Sequence, residues 1–130
     1  MSLLVETSAL VAIVADEREA GVFLARIVGA SNPLLPASCY LEAAMVLAKR
    51  KNGKSKLDQL VAGFAITFIP LDEPVARLAA DAFARYGRGT GHPAALNFGD
   101  CIAYATAMHL DVPLLFKGDD FRHTDVKAAL

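Results

Sequence analysis

The sequence predicts an α/β domain in which helices cover both faces of a mostly parallel sheet. Three observations lead there. Short apolar runs such as "LLV" at 3–5 and "VPLLF" at 112–116 read as strands buried on both sides. Segments with helical spacing of apolar residues separate these runs, and strands that alternate with helices pair in parallel through crossover connections. The chain has 130 residues, 55% of them hydrophobic, which suits one domain over 1–130 with a generous apolar core.

Each element follows in order. The strand at Leu3, Leu4 and Val5 stops at Glu6, Thr7 and Ser8, where a hydroxyl caps a helix over 9–15. Residues 17–29, "EREAGVFLARIVG", put acids in a first turn and apolar residues at helical spacing, with Gly29 as the stop. "NPLLPAS" (32–38) is a short strand punctuated by proline, and Ser38 caps a helix over 39–51. That helix runs into "KRKNGKSK" (49–56), whose cations suit the negative end of the helix dipole. A helix over 56–65, a strand over 67–71 and a helix over 73–86 come next. The last carries Val75, Leu78, Ala79, Ala82 and Phe83 on one face. "GRGTGHPAAL" (87–96) reads as a flexible loop, 98–109 as a helix, 112–116 as a strand and "KGDDF" as a tight loop. No repeat, low-complexity tract or linker interrupts the series.

No apolar stretch reaches the roughly 20 residues that cross a bilayer, and the N-terminus lacks a secretory signal pattern, so a cytoplasmic protein is expected. Cys39 and Cys101 lie in apolar runs with neither CxxC spacing nor a histidine at zinc-ligand distance, and read as buried free thiols. A formal net charge of -1 gives no global attraction to nucleic acid, so any such binding relies on local patches. His92, His109 and His123 fit surface or capping positions better than a catalytic one.

The carboxylates are more informative. Asp100 at a helix start is, alone, an ordinary cap or dipole partner. Glu42 is the only charge between Ser38 and Lys49, on a helix that is otherwise apolar, and burying it unpaired is costly. An open parallel sheet gathers the loops after its strands along one edge. Glu6, Asp100 and the Asp119–Asp120 pair all fall at such strand ends or helix starts, with Glu42 one turn into a helix that begins there. Crowded like charges call for protons or cations, and oxygen ligands suit Mg2+ or Mn2+ rather than zinc. A divalent metal among them would orient and activate water for phosphodiester hydrolysis.

"LLVETSALVAI", "SCYLEAAMVL", "HPAALNFGDCIAYATA" and "PLLFKGDDFRHTDV" together resemble a PIN-domain ribonuclease of the VapC toxin type over almost the whole chain. The resemblance implies a three-layer α/β/α sandwich and a Mg2+- or Mn2+-dependent endoribonuclease. It also implies a cognate antitoxin that blocks the site, a homodimer, and tRNA or ribosomal RNA as substrate. Its acids fall on Glu6, Glu42, Asp100 and a fourth in "GDDF", assigned to Asp120 with Asp119 as the alternative. Thr7 and Ser8 match the hydroxyls after the first acid, placed to hold that acid or a water. Arg88 and Lys117, which flank the loops nearest the acids, are the candidate RNA contacts, ahead of the solvated run 49–56.

One departure stands out: the family carries Asp where this chain has Glu6. The extra methylene shifts the carboxylate by about 1.5 Å, and Mg2+ demands near-octahedral geometry, so retained but reduced activity is expected. The alternative is a catalytically weak or inactive PIN-like module that binds a protein partner through its apolar surface. A domain handling phosphoryl groups on small molecules ranks last, for want of a glycine-rich phosphate loop.

Overall fold

The computed structural model describes residues 1–130. In chain order it contains β1 (Ser2–Val5), α1 (Thr7–Val14), α2 (Ala20–Gly29), β2 (Asn32–Pro36) and α3 (Ala37–Leu47). α4 (Gly53–Gly63), β3 (Thr67–Ile69), α5 (Glu73–Tyr86), α6 (Phe98–Leu110) and β4 (Leu114–Leu115) follow, and a 3-10 turn at Asp120–His123. The strands form one parallel sheet in the order β3-β2-β1-β4.

Leu3, Leu4 and Val5 point alternately to opposite faces of β1, yet all are 2% exposed or less. Both faces are therefore covered, as a three-layer α/β/α sandwich requires. β1 has β2 on one side and β4 on the other, so the chain grows the sheet one way through β2 and β3, then returns to the far side of β1. The strand order thus reverses at β1, and the crevice outside the carboxyl ends of β1 and β4 is the topological switch point, where open parallel sheets bind their ligands. No helix is long and apolar enough to cross a membrane.

α6 is buried continuously from Cys101 to Ala107. Its small residues, Ala103, Ala105 and Ala107, let it pack closely against α5 and α3, and Thr106 satisfies its own hydroxyl by donating to Ile102 O at 2.7 Å.

The structure departs from the expected boundaries where side-chain chemistry outcompetes local signals. Glu6, not Thr7 or Ser8, caps α1, and the helix starts at Thr7. α2 begins at Ala20, and Glu17 and Glu19 ahead of it pair with Lys117. Pro36 stands at the cap position of α3, with Ser38 inside the helix, and α3 ends at Leu47 before the basic run. α4 starts at Gly53, where a Cβ would lie 2.2 Å from Leu47 O, so the α3–α4 corner closes only on glycine. β3 is shorter than expected and its Thr67 and Phe68 are exposed, as befits an edge strand. Residues 87–96 are not a free loop: Arg88 N donates to Leu96 O at 2.8 Å, Leu96 N to Tyr86 O at 3.0 Å, and Ala94 and Leu96 are fully buried.

The C-terminal segment covers the other edge. Leu114 N donates to Lys127 O and Ala129 N to Leu114 O, both at 2.8 Å, so the exposed side of β4 is paired. Asp125 anchors this segment by accepting from the hydroxyls of Tyr86, at 3.2 Å, and Tyr104, both buried tyrosines. Asp125→Ala removes that shared acceptor and should lower stability by about 1–2 kcal/mol, read from the urea midpoint.

Candidate active site

Glu6 ends β1 at the switch point. Its backbone N–H donates to Leu115 O at 3.0 Å, which ties it to β4, and its side chain is turned back to cap α1. Glu6 Oε2 accepts from Ser8 N at 2.8 Å and from Ser8 Oγ, and Ser8 Oγ in turn accepts from Lys117 N at 2.8 Å. One hydroxyl thus joins the first acid to the loop that carries Asp119 and Asp120. At 4% exposure the Glu6 carboxyl is raised to about 7 by burial, with the Ser8 bonds opposing and the charges of Asp100 and Glu42 adding.

Glu42 reaches the same cleft from α3. Its Oε1 accepts from Thr7 Oγ1 at 2.6 Å, so Thr7 and Ser8 each hold one acid. α6 begins against it: a Cβ on Gly99 would lie 2.8 Å from Glu42 Oε2 and 2.9 Å from Oε1. Glycine immediately before Asp100 is therefore what lets the third acid approach the second. Glu6, Glu42 and Cys39 place their ligand atoms within 4.8 Å of one another. The sulfur was not expected there. Burial, with the Glu6 charge adding, pushes the Cys39 thiol up to about 12, so at neutral pH it is an uncharged thiol and a poor ligand. The donors fit for a cation are the carboxylate oxygens.

Asp100 stands outside that tight group and is the third residue of a capping box: Asn97 Oδ1 accepts from Asp100 N at 2.9 Å and Asp100 Oδ2 from Asn97 N at 3.0 Å. Burial is the main cause of its raised pKa, and the charges of Glu42 and Asp120 add to it while Arg88 opposes. Asp120 and Arg88 are thus near enough to Asp100 for their charges to act on it. Asp119 lines a separate hollow with Phe23, Lys117 and Arg122. Lys117 is committed elsewhere: its ammonium lies 2.8 Å from Glu17 and 3.5 Å from Glu19, and its link to the site is its backbone N–H.

Sequence reasoning missed Asn97, Gly99, Cys39 and Lys117's ion pairs. The first two had a signal, since Asn-x-x-Asp is capping-box spacing and a glycine beside an acid at a helix start marks close approach. The others depend on long-range packing.

Fold and site define a class: a parallel α/β domain that gathers carboxylates in one cleft at its topological switch point. The PIN domain model matches residues 3–127. "VapC ribonuclease Mb0625" of Mycobacterium bovis and "Ribonuclease VapC28" of Mycobacterium tuberculosis are each 43% identical over 130 residues, covering 98% of either chain. Among solved structures, Mycobacterium tuberculosis VapC20, titled a Sarcin-Ricin loop cleaving toxin, matches with TM-score 0.77 at 12% identity over 95% of each chain. VapBC2 from Rickettsia felis, bound to a DNA fragment from their promoter, matches with TM-score 0.76 at 14% identity, covering 98% of this chain and 96% of that one. The chain belongs to the PIN-domain family, within its VapC group.

Two outcomes follow from this geometry. Between pH 4.5 and about 7 the folded chain holds a proton on Glu6 that the unfolded chain has lost. Glu6's contribution is therefore fully present below pH 4.5 and is lost as pH rises through about 7, a loss of roughly 3 kcal/mol. In chelator, thermal stability should fall across that window more steeply than in Glu6→Gln. Separately, Gly99→Ala should keep the fold, since the obstructed atoms end a flexible side chain, while displacing Glu42 and weakening Mn2+ affinity at least tenfold by calorimetry.

Proposed function

We propose that residues 1–130 act as a single domain with Mg2+- or Mn2+-dependent endoribonuclease activity, the toxin of a toxin–antitoxin pair. The observation that supports the reading is the meeting of Glu6 and Glu42, with ligand atoms within 4.8 Å and Asp100 close enough to act on Glu6, in a chain 43% identical end to end to proteins named VapC ribonucleases. Glu6, Glu42 and Asp100 hold the cation, and Asp120 completes the cluster from the loop after β4. When bound, the metal supplies Lewis-acid charge to the scissile phosphate and lowers the pKa of the attacking water.

The chain's own residues do the rest. Ser8 fixes Glu6 Oε2 and leaves Oε1 for the cation, which holds the longer glutamate in one position despite its extra methylene. Thr7 orients Glu42 in the same way. The capping box leaves Asp100 Oδ1 uncommitted and fixes its direction. Arg88, exposed and near enough to act on Asp100, is the cation we assign to an RNA phosphate. Lys117, neutralised by two glutamates, is less suited to that role.

The partners in this reading are RNA of the tRNA or ribosomal class, an antitoxin and a second copy of the chain, all in the cytoplasm. An apolar groove of about 460 Å³ between α5 and α6, lined by Leu71, Ala79, Phe83 and Ile102 among others, supports protein contact. The test is cleavage of total RNA by antitoxin-free protein in Mg2+, Mn2+ or chelator. Discrete fragments are expected that require metal and fall at least 100-fold in Asp100→Ala. Cleavage that survives chelator and Asp100→Ala would sink the assignment, and no cleavage together with no metal binding would favour a protein-binding module.

A further inference from the structure

We propose that Lys117, held by Glu17 and Glu19, is a positioning residue that staples the loop after β4 to the connection between α1 and α2, and so fixes Glu6 and Asp120 for the cation. This deepens the ribonuclease reading and rests on it. The Lys117 ammonium lies 2.8 Å from Glu17 Oε1 and 3.5 Å from Glu19 Oε2. The three side chains keep only 34–38% of their surface exposed, so both pairs are partly shielded from solvent and its salt.

Little else holds this loop. Along the edge of the sheet Leu4 N donates to Pro113 O and Glu6 N to Leu115 O, but residues 116–118 make no hydrogen bond between main-chain groups. The next rung of the parallel ladder would join Lys117 N to Glu6 O, and that carbonyl already accepts from Ala9 N and Leu10 N. Lys117 N turns instead to Ser8 Oγ, at 2.8 Å, the same hydroxyl that donates to Glu6 Oε2. Phe116 and Phe121 are buried with ring centroids 5.2 Å apart, while the four residues between them arch out exposed. Gly118 bends this arch at a φ of +98°, with nothing packed where a side chain would stand. Lys117 is the one side chain of the arch that makes a hydrogen bond or an ion pair.

The post to which it is tied is firm. Glu17 N donates to Ala12 O at 2.9 Å, and Glu19 O accepts from the N–H of buried Phe23 at 3.0 Å, which joins the connection to α1 and to α2. With the arch stapled there, Lys117 keeps its N–H on Ser8, Glu6 Oε2 stays occupied and Oε1 is left for the cation. Three residues further on, Asp120 is held near enough to Asp100 for its charge to act there. Two glutamates leave this lysine no net positive charge to offer a phosphate, so its ammonium serves the loop and not the substrate.

Lys117→Met keeps most of the aliphatic stem and removes the charge, and Glu17→Gln with Glu19→Gln breaks the staple from its other end. Measured well below the lowest melting temperature, each should weaken Mn2+ binding by calorimetry and lower kcat by about 3- to 10-fold, the range that two half-shielded ion pairs supply. KM and the anisotropy of labelled RNA in Ca2+ should not move, and Lys117→Arg should restore Mn2+ affinity. The glutamate variant separates this role from a phosphate contact. Freed of its partners, a Lys117 that meets RNA would bind it more tightly and with a steeper salt dependence, and that result overturns the proposal. Unchanged Mn2+ affinity in both variants overturns it as well, whatever the melting temperature does, and leaves the ribonuclease reading intact if the wild type cleaves. Weakened Mn2+ affinity in both, without wild-type cleavage, upholds the positioning role and defeats the ribonuclease reading. Wild-type protein that binds no Mn2+ defeats both.

Discussion

A carboxylate buried at the end of the central strand is the constraint around which this molecule is organised. Glu6 is 4% exposed and close enough to Glu42 and Asp100 for both charges to act on it, an arrangement that apolar packing would expel unless the surroundings fixed it. The chain meets that cost locally. Ser8 donates twice to one oxygen of Glu6, and Thr7 donates to Glu42 from the adjacent position. Because α1 starts at Thr7, one turn of helix orients both acids, and the capping bond that begins the helix is also the bond that fixes the first acid. What remains unbalanced is charge, and a hard divalent cation is the simplest species that removes it.

The sheet order explains why acids so distant in sequence meet. β1 is the point from which the chain departs in one direction and to which it returns on the other side. Its carboxyl end therefore has open space beside it that neither neighbour's crossover fills. Ser8 Oγ, bonded to both Glu6 and Lys117 N, joins the two segments that flank this opening. The C-terminal strap that pairs with β4 and is pinned by Asp125 to Tyr86 and Tyr104 keeps the second of them in place.

Much of this was legible before any coordinates. The layer order, the strands and all six long helices follow from period and punctuation, since buried parallel strands and amphipathic helices leave strong local patterns. Glu42 stood out as a single charge on an apolar helix, but the fold leaves it half-buried and bonded to Thr7, on a helix whose Leu41, Met45 and Val46 are exposed. Boundaries were lost where long-range pairing decided them. Glu17 and Glu19 lie ahead of α2, paired with Lys117, and backbone bonds between 86 and 96 fix a segment whose glycines read as freedom. Lys117 shows the limit most clearly, for its position in the sequence suggested a phosphate contact and only the fold reveals that two glutamates already hold it.

The start of α6 carries the densest overlap of roles. Asn97 caps the helix, Phe98 stands exposed, Gly99 makes room for Glu42, and Asp100 closes the cap while presenting an oxygen to the cleft. A helix that only needed a beginning would satisfy itself with Asn97 and Asp100. Neither the bare glycine nor the solvent-facing phenylalanine improves the cap, and the phenylalanine costs apolar exposure that a polar residue at that position would avoid. Both make sense if the turn is shaped from outside the helix, by a second acid pressed against Gly99 on one side and, on the other, by the apolar groove between α5 and α6 that Phe98 helps to line. Residue choice at 98 and 99 therefore answers to what packs against the turn from outside rather than to the cap itself.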